Sequence, residues 1–373
     1  LAILPSYGHF KDRIYFEDKN NVGLCMPNHE KYMQRCLELA ELGKGSVSPN
    51  PLVGAVLVHE ERIIGEGWHK QYGGPHAEPH AIADVFQRYA DAAQLLKAST
   101  LYVSLEPCSH QGKTPPCADL IIQHQIPKVV IACRDPFEQV NGKGIAKLEA
   151  AGIDVTTGVL QQEASFMNRR FFARVQKHRP YVILKWAETA DRYFAPEGGK
   201  QQWISGKAAQ ILAHKWRSEE DAILVGTNTA RIDNPQLNVR LWKGRNPKRV
   251  VIDKALRLPK SLHLFDGSTE TLIFTALDAP WETNLKYINV ENFDWYLPQH
   301  ILYQLYLMDV QSLIVEGGAK TLQLFIDADL WDEARIFQSS NYWSNGIPAP
   351  LLHRAPVSKQ VLGKDALLTY LNQ

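Results

Sequence analysis

His76 and Glu78 stand two residues apart, and Cys108 and Cys117 follow with eight residues between them. An imidazole and two thiols are donors that zinc favours. Three protein ligands leave a fourth tetrahedral position open for water, as in catalytic rather than structural sites. Zinc lowers the pKa of such a water from about 15.7 toward ~7, and a neighbouring carboxylate can take its proton and return it to a leaving group. The expected chemistry is hydrolytic: His76, Cys108 and Cys117 hold the metal, and Glu78 is the acid/base.

The elements that must place these groups can be read around them. Gly73-Gly74-Pro75 breaks the chain before a predicted helix over 76–89. Within a helix, residues two apart point roughly 200° from each other. At a helix start freed by glycines, His76 and Glu78 can still reach one cavity. Cys108 follows a predicted strand (101–105) and a proline. Cys117 follows Pro115-Pro116 and opens a helix over 117–125, where the helix N-terminus favours a thiolate. Upstream, Met33, Cys36, Leu37 and Ala40 mark one face of a helix over 29–42 that starts after an Asn28 cap. Pro49-Asn50-Pro51 is a turn, 53–58 a buried strand, and Ile63-Ile64 its hairpin partner. Downstream come a strand at 128–132, a helix at 145–151, a short strand at Val155 and an amphipathic stretch over 160–174. Strands alternating with helices predict an α/β layer structure with one sheet. The polar segment Gln176–Pro180 is the expected domain boundary, and a second α/β series runs from a strand at 181–186 to about Phe337. Cys36 and Cys133 read as small core hydrophobes, and His110 and His124 as surface residues.

The second half has no Gly-x-Gly-x-x-Gly. Instead a predicted strand, Ser312–Val315, runs into Glu316-Gly317-Gly318 and a helix with Leu322, Phe325 and Ile326 on one face. Two glycines at such a turn let backbone N–H groups approach a phosphate. By itself this is ordinary turn chemistry, but it has companions. Lys185 lies on the first strand, and Trp203-Ile204-Ser205 precedes a helix containing Arg217. Ile223–Thr229 leads through Asp233 to Leu237 and Arg240, before a strand at 249–253.

Bulk properties narrow the class. A chain of 373 residues suggests two domains. Hydrophobic residues make up 45% and charged residues 22%, as in ordinary globular proteins. With 41 basic and 40 acidic residues, bulk charge announces no nucleic-acid surface. No apolar run approaches a membrane span. Five cysteines in so long a chain do not form a disulfide framework, so a reducing cytoplasm is expected. Residues 1–25 carry charges without a long apolar core and read as an extension outside the fold, or as an arm packed on it, rather than as a signal peptide.

Zinc deaminases as a class carry His-x-Glu and a later Pro-Cys-x-x-Cys. Here the cysteines are spaced more widely, and the stretch Glu106-Pro107-Cys108-Ser109-His110-Gln111-Gly112-Lys113-Thr114-Pro115-Pro116-Cys117 resembles the deaminase half of the bifunctional riboflavin-biosynthesis deaminase–reductase family. So do Pro49–Gly54, His69 and Asn141–Ile145. Residues from about 180 to 337 resemble the reductase half. The resemblance implies a cytidine-deaminase-like three-layer α/β/α domain (26–175) and a dihydrofolate-reductase-like α/β domain (180–373). It implies Zn2+ and NADPH as cofactors and a phosphorylated diaminopyrimidine as substrate, deaminated and then reduced from ribosyl to ribityl. Asn50 would hold the base, with His69, Lys113 and Thr114 near the ribose phosphate. Ala187, Trp203, Thr229, Asp233 and Gly318 match cofactor contacts. Arg217, Leu237, Arg240 and Glu316 match substrate contacts, and Lys185 lies at the sugar. Thr189-Ala190-Asp191-Arg192 stands where the family has Ser-x-Asp-Gly, and Gln201 stands where a serine is common.

Two other readings stay open on the sequence. One is a deaminase whose second domain is only a scaffold. The other is an RNA-binding base editor, against which the near-zero charge and the Lys113-Thr114 phosphate loop both argue. A homo-oligomer acting on a small molecule, free of membrane and nucleic acid, is the expected partner state.

Overall fold

The computed structural model describes residues 29–109, 115–197 and 204–372. The extension at 1–25, the Asn28 cap, His110, Lys113, Thr114, Gln201 and Trp203 lie outside the described residues. The first half contains α1 (His29–Glu41), β1 (Gly54–His59), β2 (Arg62–Trp68), α2 (Ala77–Arg88), α3 (Ala92–Lys97), β3 (Thr100–Leu105), α4 (Cys117–Gln123), β4 (Lys128–Cys133), α5 (Lys143–Ala150), β5 (Asp154–Thr157), α6 (Gln161–Met167) and α7 (Arg169–Lys177). Its sheet has the order β2-β1-β3-β4-β5. Strand residues alternate in direction. Leu57, Val103 and Ile131 face a core shared with α2, α4 and α5, whereas Val56, Tyr102 and Val130 face one shared with α1. Helices on both faces give three layers. Cys36 and Cys133 are buried in the second core, as small hydrophobes.

The second half contains β6 (Tyr181–Glu188), β7 (Tyr193–Ala195), α8 (Lys207–Glu219), β8 (Ala222–Val225), α9 (Thr227–Asp233), β9 (Lys248–Ile252), β10 (Thr271–Thr275), β11 (Leu285–Asn289), α10 (Leu297–Leu307), β12 (Ser312–Val315), α11 (Ala319–Asp327), β13 (Glu333–Gln338), β14 (Ile347–Pro348), β15 (Ser358–Leu362) and β16 (Asp365–Leu371). A nine-stranded sheet runs β11-β10-β9-β8-β12-β6-β13-β16-β15, parallel from β11 to β13. The parallel strands read as continuous apolar runs because both their faces are covered. Val182 and Leu184 point into one core, Tyr181 and Ile183 into the other.

One sequence expectation is refined by the structure and one is corrected. The stretch 160–174 is two helices, broken at Asn168, whose buried side chain bonds both backbone groups of Leu52 (2.8 and 2.9 Å). The second series does not end near Phe337. β16 pairs antiparallel with β13, and β15 pairs with β16 across a two-residue turn in which Gly363 takes φ +67°. An edge strand with polar and exposed positions carries a weak hydrophobic signal, although Leu362-Gly363-Lys364-Asp365 is a legible hairpin.

The two halves meet at α7 and at the loop after α1. Arg170 pairs with the fully buried Glu220, Arg169 with Glu333, and Lys177 and Arg179 with Asp332.

Candidate active sites

In the first site His76 precedes α2 in extended backbone (φ −72°, ψ −178°), so it is not yet helical. Its separation from Glu78 is therefore not the helical one, and both side chains turn to one place. His76 Nδ1 lies 3.3 Å from Cys117 Sγ and 3.6 Å from Cys108 Sγ. The ligand atoms of the three residues all fall within 4.8 Å of one another. Cys117 begins α4, and its backbone N–H donates to Cys108 Sγ at 3.3 Å. The Cys117 side chain beside it holds the Cys108 thiol well below its usual range, against the opposing effect of burial, with help from His76. Cys117 shifts the opposite way, raised by Cys108 and by burial. Glu78 is buried, and its Oε2 has no hydrogen-bond partner. Burial raises its pKa, with His76 opposing. One imidazole, two thiols and an orphaned carboxylate oxygen beside them fit a zinc ion with a water to be deprotonated.

Two supports surround this cluster. His69 Nε2 lies 3.1 Å from Asn50 Nδ2, its Nδ1 2.9 Å from the Pro75 carbonyl, and its ring centroid 5.4 Å from that of His76. Burial lowers the His69 pKa, leaving a neutral ring that can bond on both sides. The structure thus brings Asn50 and His69 to the edge of the His-Cys-Cys cluster. The second support is Glu106, which carries no role in the sequence reading. Its buried carboxylate accepts the N–H groups of Gly142 and Gly144 at 3.0 Å, and of Asp135 and Ile145 at 3.3 Å. It ties the start of α5 to the segment carrying Cys108. A Cβ on Gly144 would fall 2.0 Å from the Pro107 carbonyl oxygen, so only glycine allows this approach. The signal available in the sequence was a carboxylate closing the apolar strand β3.

The second site lies where β6, β12 and β8 end side by side. Val315 is in register with Leu184, which places Glu316 beside Lys185. Lys185 Nζ is 3.9 Å from Glu316 Oε2, and Arg217 grips both Glu316 oxygens at 3.2 and 2.7 Å. Burial pulls the Lys185 pKa down, with Glu316 opposing and Arg217 adding to the fall. Burial pushes Glu316 up, but Arg217 and Lys185 outweigh it and bring Glu316 down to about 2. Arg217 also donates to the Asn238 carbonyl at 3.4 Å, and Arg240 Nη1 to the Asn238 side chain at 3.0 Å. His214, another residue without an assigned role, accepts the Arg240 N–H at its Nδ1 (3.2 Å). Its pKa is pushed down to about 4 by burial and then by Arg217 and Arg240, so the ring stays neutral and can accept. Leu237 is a core residue, 2% exposed, in a turn with φ +50°.

Beside this cluster the turns after β8 and β12 touch backbone to backbone. A Cβ on Gly317 would lie 2.4 Å from the Gly226 nitrogen, and one on Gly226 2.3 Å from Thr321 Oγ1. Gly318 has φ +27° and donates its N–H to Thr229 Oγ1 at 2.8 Å. α9 and α11 therefore begin next to each other, and their first N–H groups lack intrahelical partners. A glycine-only cradle at adjacent helix starts suits the phosphates of a dinucleotide. Asp233 ends α9, its pKa raised by burial, and Ala187 lies on β6 two residues beyond Lys185.

Thr189-Ala190-Asp191-Arg192 keeps a tight turn despite its departures from the family pattern. The Thr189 hydroxyl accepts the Tyr193 N–H at 2.9 Å, and Asp191 accepts the N–H groups of Trp343 and Ser344 at 3.1 and 2.8 Å. Arg192 takes φ +65°, a left-handed conformation that glycine adopts without cost.

Comparison with known proteins covers both sites. Residues 26–133 match the cytidine and deoxycytidylate deaminase zinc-binding region, and residues 180–341 match the RibD C-terminal domain. The chain is 42% identical over 317 residues to the riboflavin biosynthesis protein RibD of Bacillus amyloliquefaciens, covering 83% of each chain. It is 38% identical to that of Aquifex aeolicus, covering 85% of this chain and 88% of the relative. Its structure matches the diaminohydroxyphosphoribosylaminopyrimidine deaminase/5-amino-6-(5-phosphoribosylamino)uracil reductase of Thermotoga maritima with TM-score 0.84 at 37% identity, over 91% of this chain and 97% of that one.

Proposed function

Since the chain belongs to the RibD family of riboflavin biosynthesis proteins, and is an enzyme with both deaminase and reductase activities, we propose a specific division of labour between its two sites. The first site deaminates 2,5-diamino-6-(5-phosphoribosylamino)pyrimidin-4-one by hydrolysis. The second reduces the ribosyl group of the product to ribityl. The observation that supports the first step best is Glu78 Oε2, buried and unpartnered beside a His-Cys-Cys cluster.

In this reading His76, Cys108 and Cys117 hold the zinc ion, which when bound supplies the Lewis acidity that brings a water's pKa toward ~7. Glu78 removes a proton at its orphaned oxygen and delivers it to the departing amine, so that water enters and ammonia leaves. Burial raises the Glu78 pKa toward the working range of a group that must both accept and give. Asn50, oriented by His69, holds the base. Lys113 and Thr114 are proposed to bind the ribose phosphate.

In the second site NADPH supplies the hydride. The turn at Gly318, with Thr229, Asp233, Ala187 and Trp203, is proposed to hold it. Lys185 directs its ammonium at the sugar oxygen that must gain a proton. Glu316, itself held by Arg217, fixes that ammonium, and Arg217 and Arg240 pair with the substrate phosphate, as guanidinium groups do. Leu237, buried by its side chain, would contact substrate through the main chain of its turn. The deaminase unit is proposed to span 26–175 and the reductase unit 180–373, with 1–25 as an extension.

A homo-oligomer in the cytoplasm, acting on small molecules and not on nucleic acid, completes the proposal. The net charge of +1 supports a small-molecule substrate over nucleic acid, and the free state of Cys36, Cys108, Cys117 and Cys133 fits a reducing compartment. Among the described residues no helix is long and apolar enough to cross a membrane. The test is incubation with the diaminopyrimidine phosphate, with and without NADPH. Ammonia should appear in both, and NADPH absorbance should fall only after ammonia release. NADPH oxidation without prior deamination would overturn the order of the steps.

A further inference from the structure

The loop that carries Asn50 is fastened from outside its own half of the chain. Gln311, just before β12, donates its side-chain amide to the Pro49 carbonyl at 3.0 Å. The Ser48 hydroxyl donates to Asp221 Oδ2 at 2.5 Å, and the Gln311 backbone N–H donates to the same oxygen at 2.7 Å. Arg245 neutralises the other Asp221 oxygen. Gln311 and Asp221 are both buried. A Cβ on Gly45 would lie 2.5 Å from the Ser218 carbonyl oxygen, so the loop rests directly on the end of α8. On its far side Asn168 clamps Leu52. Between these two fixings only Asn50 points to His69.

We propose that Gln311 and Asp221, from the reductase half, are positioning residues for the deaminase site, holding the Ser48-Pro49 segment so that Asn50 meets the base. The proposal rests on the assignment of Asn50 to base binding for its mechanism, though its test does not. A loop bond of this kind does no chemistry. It fixes a group that binds the ground state and the transition state alike, so its loss appears in KM and leaves kcat alone. Gln311 is the clean probe. Its backbone N–H bond to Asp221 and its carbonyl bond to the Tyr181 N–H survive truncation, and only the amide that crosses between the halves is lost.

The experiment uses the full-length zinc-loaded enzyme and follows ammonia release from the diaminopyrimidine phosphate, NADPH oxidation with the deaminated substrate, and Tm. Gln311→Ala should raise the deaminase KM about fivefold to tenfold, the effect of one uncharged hydrogen bond, with kcat within about twofold. NADPH oxidation should keep its kinetic constants. Ser48→Ala should act in the same direction, and Ser48→Thr, which keeps the hydroxyl, should restore the parent KM. An unchanged deaminase KM in both Gln311→Ala and Ser48→Ala overturns the proposal. So does a joint fall of both activities with Tm, which would mark the contact as merely structural. Asn50→Ala run alongside separates the two readings. If it raises KM and Gln311→Ala does not, the brace is refuted and the Asn50 assignment stands. If Gln311→Ala raises KM and Asn50→Ala does not, the brace stands and the Asn50 assignment fails.

Discussion

Replacing Glu106 with glutamine should destabilise the deaminase half and loosen its hold on zinc. The native carboxylate accepts four backbone N–H groups, two at 3.0 Å and two at 3.3 Å. Glutamine keeps one acceptor oxygen, which can serve two of them. Its amide nitrogen then faces the other two, leaving two buried donors unmet. An unmet buried donor costs about 1–3 kcal/mol. One bond in each pair is long, so the total falls in the lower half of the range, about 2–4 kcal/mol. That is a large share of a stability of about 5–15 kcal/mol. The damage is local: the donors run from just after β4 into the first turn of α5, and the carboxylate is two residues from Cys108. The assay is urea unfolding, read as a shift in midpoint at constant slope, with the rate of zinc loss to a chelator measured in parallel. A variant that unfolds with the parent, within about 0.5 kcal/mol, and loses zinc no faster would refute the assignment of Glu106 as the anchor of the Cys108 segment.

Arg192→Gly should raise stability by roughly 1 kcal/mol in a thermal melt, since an L-residue at φ +65° is strained where glycine is not. A lower Tm would mean that the Arg192 side-chain contacts, with the Pro350 carbonyl (3.3 Å) and the buried Glu188 (3.9 Å), outweigh the strain. Lys185 has a folded pKa below the ordinary 10.5, so its ammonium is lost at lower pH than that of a free lysine. NADPH oxidation should accordingly decline on the alkaline side below pH 10.5, and Glu316→Gln should move that decline further down, because the carboxylate that favours the charged form is gone. An alkaline limb that does not respond to Glu316→Gln would remove Lys185 as its source.

The chemistry was more legible in the sequence than the machinery that aims it. His76, Glu78, Cys108 and Cys117 stand out by residue type and spacing, and the fold gathers the imidazole and the two thiols within 4.8 Å of one another. Parallel strands such as Ser312–Val315 were legible from their unbroken apolar runs. The supporting residues act through contacts distant in sequence. Glu106 shows its role only when α5 folds back against it, and Asn168 only when Leu52 arrives beside it. His214 can support Arg240 only because burial, and then two guanidinium groups, keep its ring neutral. The final hairpin is hard to read because its edge strand β15 exposes Ser358, Lys359 and Val361 in no clean alternation. Arg192 shows the opposite limit. It stands where the family has glycine, and the backbone keeps the turn at φ +65° and accepts the strain.

The most direct test of two separate sites in one chain is to measure ammonia release and NADPH oxidation in Glu78→Ala and Lys185→Ala, with zinc content and Tm held as controls. Glu78→Ala should keep its zinc and release no ammonia, while still oxidising NADPH when given the deaminated substrate. Lys185→Ala should release ammonia at the parental rate and oxidise NADPH poorly. Ammonia release retained in Glu78→Ala, or both activities lost together in either variant at unchanged Tm and zinc content, would contradict the account.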